Sequence, residues 1–143
     1  NIELITEDDA LSSLSQSFDL IHSSLVLQHI KPHRGMRLIE AMAKRVATGG
    51  YLVIQFFDAC YAPLLSRGLA KLRYILPPVN WARNLYRRRP IFEPPMQLHV
   101  YDLSRVLDLL VQLGLKEVHQ EFTRVDDGQF ESVLLVARKS SAA

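Results

Sequence analysis

Apolar and polar positions along the chain alternate with two different periods, and these divide it into short elements. Ile2, Leu4 and Ile5 alternate loosely with polar neighbours and predict a short strand, closed by Thr6-Glu7-Asp8-Asp9. Residues 11–17, LSSLSQS, read as a loop or a single helical turn, because serine hydroxyls compete for backbone hydrogen bonds. Phe18 to Ser23 is a mostly apolar run of strand length. Lys31-Pro32 interrupts the chain, since proline turns the residue before it away from helical geometry. Met36, Ile39, Met42, Ala43 and Val46 then recur at threes and fours and predict an amphipathic helix, which Gly49-Gly50 is expected to stop. Tyr51 to Phe57, YLVIQFF, is β-branched and aromatic between breakers, the strongest strand pattern in the chain.

Strand, helix and strand with short joints imply a parallel pair joined by a crossover. Residues 58–96 have another texture: six prolines, Trp81, four tyrosine or phenylalanine rings and the run Arg87-Arg88-Arg89. They predict a lid-like insertion with one or two helices inside a single domain covering residues 1–143. Leu103, Val106, Leu107, Leu110 and Val111 form a further helical stripe, with Asp102 or Ser104 as N-cap and Gly114 as its left-handed stop. Lys116–Val125 and Phe130–Arg138 flank Asp126-Asp127-Gly128, a β-hairpin signal. The order is therefore β, β, α, β, insertion, α and an antiparallel hairpin.

Composition narrows the classes. With 143 residues, 48% hydrophobic and 22% charged, the chain suits one globular core. The lone Cys60 cannot form an internal disulfide, which fits a reducing, cytoplasmic setting. No apolar run approaches the roughly 20 residues of a membrane span. The first residues, NIELITEDD, lack the basic region of a signal peptide. A net charge of +2 does not by itself point to nucleic acid.

The segment SFDLIHSSLVLQHI, followed by RGMRLIEAMAKRVATGGYLVIQ, resembles the second half of a class I S-adenosylmethionine-dependent methyltransferase. The Phe-Asp pair opening an apolar strand with a small polar tip resembles the family's strand four. The helix and Gly-Gly leading into the next strand resemble the approach to strand five. YDLSRVLDLLVQLGLKEVHQEF and FESVLLVARK resemble the last helix and the antiparallel strands six and seven. The resemblance implies an α/β fold: a partial Rossmann-like methyltransferase sheet, parallel strands followed by a C-terminal antiparallel hairpin. It also implies S-adenosyl-L-methionine as cofactor.

The family's Gly-rich loop and ribose-holding acid have no counterpart here, since none of the six glycines sits in a Gly-x-Gly pattern. By the resemblance the chain starts at strand three and lacks the two strands that lie between strands three and four. The Ile2–Ile5 strand is then expected to have no proper parallel neighbour, and to be mobile or to pair wrongly beside Phe18–Ser23. A hydrogen bond to a charged group is worth about 1.5–3 kcal/mol, so losing a ribose carboxylate and a few loop contacts would cost roughly 4–6 kcal/mol. That is on the order of a thousandfold in affinity. The chain alone is expected to bind the cofactor poorly or not at all.

The resemblance assigns candidate site residues. His22, Ser23 and Ser24, at the strand-four tip, would line the place where the methyl donor faces the acceptor, because ligands in open α/β sheets bind beyond the carboxyl ends of strands. Ser-Ser could alternatively cap the following turn. Asp9-Ala10 resembles the acid-plus-small pair after strand three that takes the adenine amino group; Asp8 is a competing register, and a solvated acidic turn is the plainer reading. Asp19 is expected to fix neighbouring backbone. His29 lies just past the tip, and histidine is a residue type suited to act as a general base toward a hydroxyl, although a histidine packing or capping beside Pro32 is the plainer reading. His29 and His33 have the i, i+4 spacing of a metal pair, but Pro32 between them argues against one continuous helix. His99 and His119 stand alone in sequence, and no metal is expected.

From Arg67 to Arg89 there are seven Lys or Arg residues and no acid, interleaved with leucines and rings. In the family the segment after strand five often covers the acceptor. Trp81, Arg87 and Arg88 are the candidate lid residues, suited to a small-molecule, glycan or lipid-linked acceptor, or to contact with a membrane surface. A solvated basic helix face is the bland alternative. The leading function is methyl transfer to an oxygen or nitrogen. The alternatives are a non-catalytic methyltransferase-like interaction module and, lower still, a nucleic-acid binder using residues 67–89, whose rings are mixed with core-type leucines.

Overall fold

The computed structural model describes residues 11, 14–94, 97–125 and 128–140. It divides into two compact units, Asn1–Cys60 with Leu98–Ala143, and Tyr61–Gln97. The expected Ile2–Ile5 strand and the Asp8, Asp9 and Ala10 positions lie outside the described residues.

Among the described residues, the first unit is built on a four-stranded sheet. Its strands are β1 (Phe18–Ser23), β2 (Val46–Cys60), β3 (Leu115–Val125) and β4 (Phe130–Lys139), in the spatial order β1-β2-β4-β3. β1 and β2 run parallel, and β4 is antiparallel to both β2 and β3. Between β1 and β2 lies helix α1 (Pro32–Arg45), and helix α4 (Leu103–Gln112) precedes the hairpin.

Alternation along β2 and β4 builds the core. The cross-strand partners Leu52↔Ala137, Ile54↔Leu135 and Phe56↔Val133 are all fully buried and share one cluster with Ile39, Met42 and Ala43 of α1 and Val106 and Leu110 of α4. Both helices thus cover the same face of the sheet. Each of these side chains larger than alanine contributes about 1.5–3 kcal/mol by leaving water.

The helix ends follow from local chemistry. Pro32 occupies the first turn of α1 behind an extended Lys31, where its missing N–H costs nothing. At the other end, Lys139 Nζ donates to the carbonyls of Ala43 and Lys44, a cation placed on the helix's negative pole. Asp102, not Ser104, caps α4: its carboxylate accepts from the Ser104 and Arg105 amides. Gly114 has φ +79°, the left-handed stop the pattern predicted.

Gly49-Gly50 corrects the expectation drawn from the pattern. The helix ends at Arg45, with Val46 already extended, and the two glycines lie inside β2. Phe18 pairs with Val46 and Leu20 with Tyr51, so two steps along β1 match five along β2. The extra residues are accommodated by Gly49 at φ +81°, and by Gly50, where a Cβ would come within 2.8 Å of the Asp19 carbonyl oxygen. What matters at Asp19 is its backbone, against which Gly50 packs.

The second unit contains α2 (Leu64–Ile75) and α3 (Pro77–Tyr86). Its start also shifts the expected insertion boundary, because residues 58–60 belong to β2. Its interior is held by amides. Asn80 and Asn84, both buried, donate from Nδ2 to the Glu93 carbonyl, and Asn84 reaches the Pro90 and Ile91 carbonyls as well.

Candidate active site

The carboxyl end of β1 is the point of interest. Ser23 pairs with Ile54, and one residue on, the Ser24 hydroxyl donates to Gln55 Oε1 on β2 at 2.5 Å. Gln55 Nε2 in turn donates to the Ser132 hydroxyl on β4 at 3.0 Å. A polar chain therefore crosses three strands and fixes the tip laterally. The side chain of Ser24 is engaged across the sheet, while His22 stays exposed and Ser23 partly so.

Leu25 follows with φ +58°, a left-handed conformation that bulky side chains rarely adopt. Such strain costs about 1–3 kcal/mol and persists only where the surroundings impose it. The surroundings are visible. A short 3-10 turn, Leu27–His29, carries Leu27 and Gln28 inward and leaves His29 exposed at its end. The Tyr101 hydroxyl lies against the carbonyls of Leu27 and Ile30, at 2.9 and 2.8 Å, with one proton to share between them. The His99 amide donates to the Gln28 carbonyl at 2.8 Å, and the Tyr101 amide to the Phe57 carbonyl at 2.7 Å. Residues 99–101 thus strap the turn to the end of β2.

Tyr101 is the keystone. It is 1% exposed, its ring lies 5.6 Å from that of Phe56, and burial pushes its hydroxyl up to about 12. Gly35, in the first turns of α1, makes room for it. Gln28 is the second unanticipated residue: it is buried, and its Oε1 has no hydrogen-bond partner. A buried acceptor left open costs about 1–3 kcal/mol, so a ligand donor would be welcome there.

His99, alone in sequence, has charged neighbours in the fold. Burial lowers its pKa first, and the nearby charges of Lys31 and His29 lower it further, so the fold brings these three groups together. Among the described residues no group of three His, Cys, Asp or Glu side chains could hold a metal ion. Of the other candidates, Trp81 lies on α3, Arg87 ends that helix and Arg88 follows it at φ +54°, all in the second unit.

Sequence patterning missed Tyr101, Gln55, Gln28 and His99. One signal was readable. Tyr101 directly precedes the N-cap Asp102, and an apolar residue there commonly packs on the helix's fourth position, here Val106 of the same core cluster. Gln55 could not be found that way, because an isolated amide in an apolar strand has no sequence signature.

No protein-family model and no curated protein sequence matches the chain. Solved structures do match its fold. Magnesium protoporphyrin IX methyltransferase from Synechocystis PCC 6803, with bound S-adenosylhomocysteine, superposes with a TM-score of 0.58 at 17% identity, over 95% of this chain and 50% of that one. An O-methyltransferase family protein from Burkholderia thailandensis gives 0.57 at 16% identity, over 99% and 36%. The N-methyltransferase of Bradyrhizobium japonicum WM9, in complex with S-adenosylhomocysteine, gives 0.53 at 20% identity, over 94% and 52%. The chain has the fold of class I S-adenosylmethionine-dependent methyltransferases, and it spans about half or less of the length of these three.

Proposed function

We propose that the protein to which this chain belongs transfers the methyl group of S-adenosylmethionine to an oxygen or nitrogen of a small-molecule, glycan or lipid-linked acceptor. The observation that carries the reading is the sheet order β1-β2-β4-β3 with a small polar tip at the carboxyl end of β1. That end is where ligands of open α/β sheets bind.

The residues of the tip fit the cofactor. Ser23 and Ser24 are small enough for close backbone approach, Leu25 is held in a strained conformation beside them, and Gln28 offers an open buried acceptor. His22, Ser23 and Ser24 would line the donor end, with Asp9 and Ala10 toward the adenine. The cofactor supplies an activated methyl group on sulfonium sulfur. In-line alignment of acceptor and methyl alone is worth about 7–11 kcal/mol, so the chain's main task is positioning. His29, exposed beyond the tip, is the candidate to take the acceptor's proton when its imidazole is neutral.

The test is Ser23→Leu in protein produced from the reading frame extended upstream of Asn1. A leucine would fill the approach to the tip without touching the Ser24–Gln55–Ser132 chain. Cofactor affinity should fall at least about tenfold, which is about 1.4 kcal/mol, with the urea midpoint unchanged. Unchanged affinity would overturn the placement. The non-catalytic interaction module is the second reading, and the sequence upstream of Asn1 discriminates the two. Failure of the extended protein to bind the cofactor would bring it forward.

A further inference from the structure

The second unit is built with its amides inside and its apolar side chains outside. At the 100° turn per residue of an α-helix, Leu64, Leu65, Leu69, Leu72 and Ile75 of α2 fall within one arc of about 140°. All five are exposed, Leu64 at 82%, Leu65 at 77% and Ile75 at 71%. Arg67 and Lys71 border one edge of this arc and Arg73 the other. On α3, Trp81 and Leu85 share an exposed face, while Asn80 and Asn84 face inward. Phe92, 79% exposed, meets the Trp81 ring edge-on at 5.6 Å.

The charge is of one sign. Seven cations and no acid occur between Arg67 and Arg89, and the nearest acid beyond, Glu93, lies 3.7 Å from Arg89. The guanidiniums crowd one another: Arg83 is pulled below its usual value by burial and then by Arg73, Arg87 and Arg89. An apolar arc bordered by long cationic side chains is the arrangement of a helix lying in a membrane interface, where aliphatic stems follow the apolar surface and charged heads reach the lipid phosphates. A second copy of this surface would bring cations against cations. A nucleic acid would satisfy the charge but leave the leucine arc in water. Among the described residues no helix is long and apolar enough to cross a membrane.

We infer that the unit Tyr61–Gln97 docks on the surface of an anionic lipid bilayer, with α2 and α3 lying along it. The inference stands apart from methyl transfer and does not rest on it.

Trp81 is the chain's single tryptophan and lies within the patch, so its fluorescence reports docking directly. The 143-residue chain is mixed with vesicles of phosphatidylcholine containing about a quarter phosphatidylglycerol, and with pure phosphatidylcholine vesicles, at about 0.1 M salt, where the Debye length is about 10 Å. Co-sedimentation with a blue-shifted Trp81 emission is expected for the anionic vesicles, with affinity at least tenfold weaker for the neutral ones. Each cation at such a surface is worth roughly fivefold, so Arg87→Gln with Arg88→Gln should weaken binding about 25-fold. Leu65→Ser with Leu69→Ser, at exposed positions that leave the circular dichroism unchanged, should weaken it at least tenfold. Equal binding to both vesicle types, no binding, or binding without a Trp81 shift would overturn the inference. So would self-association that the leucine variants abolish, tighter binding to an oligonucleotide than to anionic vesicles, or a Trp81 already shielded in the upstream-extended protein.

Discussion

Replacing Gly35 by alanine should destabilise the first unit, although alanine is the better helix former. Gly35 lies in α1, where the exchange alone would contribute about 1 kcal/mol of stability. The position is not open, however. A Cβ there would overlap the Tyr101 hydroxyl oxygen and lie 2.6 and 2.7 Å from two ring carbons. The ring cannot step aside freely, because it is buried against Phe56 and its hydroxyl is held between the Leu27 and Ile30 carbonyls. Overpacking of this kind costs about 1–3 kcal/mol. If the ring is displaced, a buried hydrogen bond is lost as well, at about 1–3 kcal/mol. The penalties exceed the propensity gain, and a net loss of about 2–3 kcal/mol is expected. Urea unfolding followed by circular dichroism measures it. The same exchange in a Tyr101→Ala background should turn neutral or stabilising by up to about 1 kcal/mol, since the obstacle is gone. A neutral or stabilising Gly35→Ala in the otherwise unchanged chain would refute the argument that Tyr101 is locked.

Tyr101 also predicts an alkaline dependence. Its folded pKa of about 12 exceeds the ordinary value of 10.0, so the neutral form is favoured in the fold. The stability it contributes is fully present below pH 10 and is lost as pH rises toward 12. The urea midpoint should therefore fall less steeply between pH 9 and 11.5 in Tyr101→Phe than in the parent chain, and parallel curves would contradict this. His99 should titrate below 6.5 by NMR, and Lys31→Gln should move it part of the way back up. A midpoint at or above 6.5 would argue against the clustering of His29, Lys31 and His99. Gln55→Leu removes the partner of both Ser24 and the buried Ser132 and should cost about 1–3 kcal/mol by urea unfolding. Ser24→Ala alone should cost less, because Gln55 keeps Ser132.

The elements that were legible in sequence are those whose own pattern decides them. The β-branched and aromatic run Tyr51–Phe57, the stripe from Met36 to Ala43, and the two strands flanking the Asp-Asp-Gly turn signal all appear where their own patterns place them. Where a boundary is set by a neighbouring strand, patterning misleads. Val46 continues the helical stripe, yet it is extended because Phe18 is there to pair with it. Gly49 and Gly50 look like a helix stop and are the irregular stretch of a strand packed against Asp19.

The candidate site divides in the same way. Ser23 and Ser24 were visible as a polar ending to an apolar run. What holds them was not visible, because Tyr101 and His99 reach the turn from some 70 residues further along the chain, across a contact that no local window contains. The second unit shows the opposite case: its exposed leucines read as a core stripe, and only their exposure reveals that they face outward.

We propose that this chain carries the tip of a methyl-transfer site and holds S-adenosylmethionine only weakly by itself. Calorimetric titration of S-adenosylmethionine into the 143-residue chain and into protein made from the upstream-extended reading frame tests it most directly. Binding by the extended protein, and at least a thousandfold weaker binding by the chain alone, equivalent to about 4 kcal/mol, is the predicted result. Equal affinity in the two, or none in the extended protein, would contradict it.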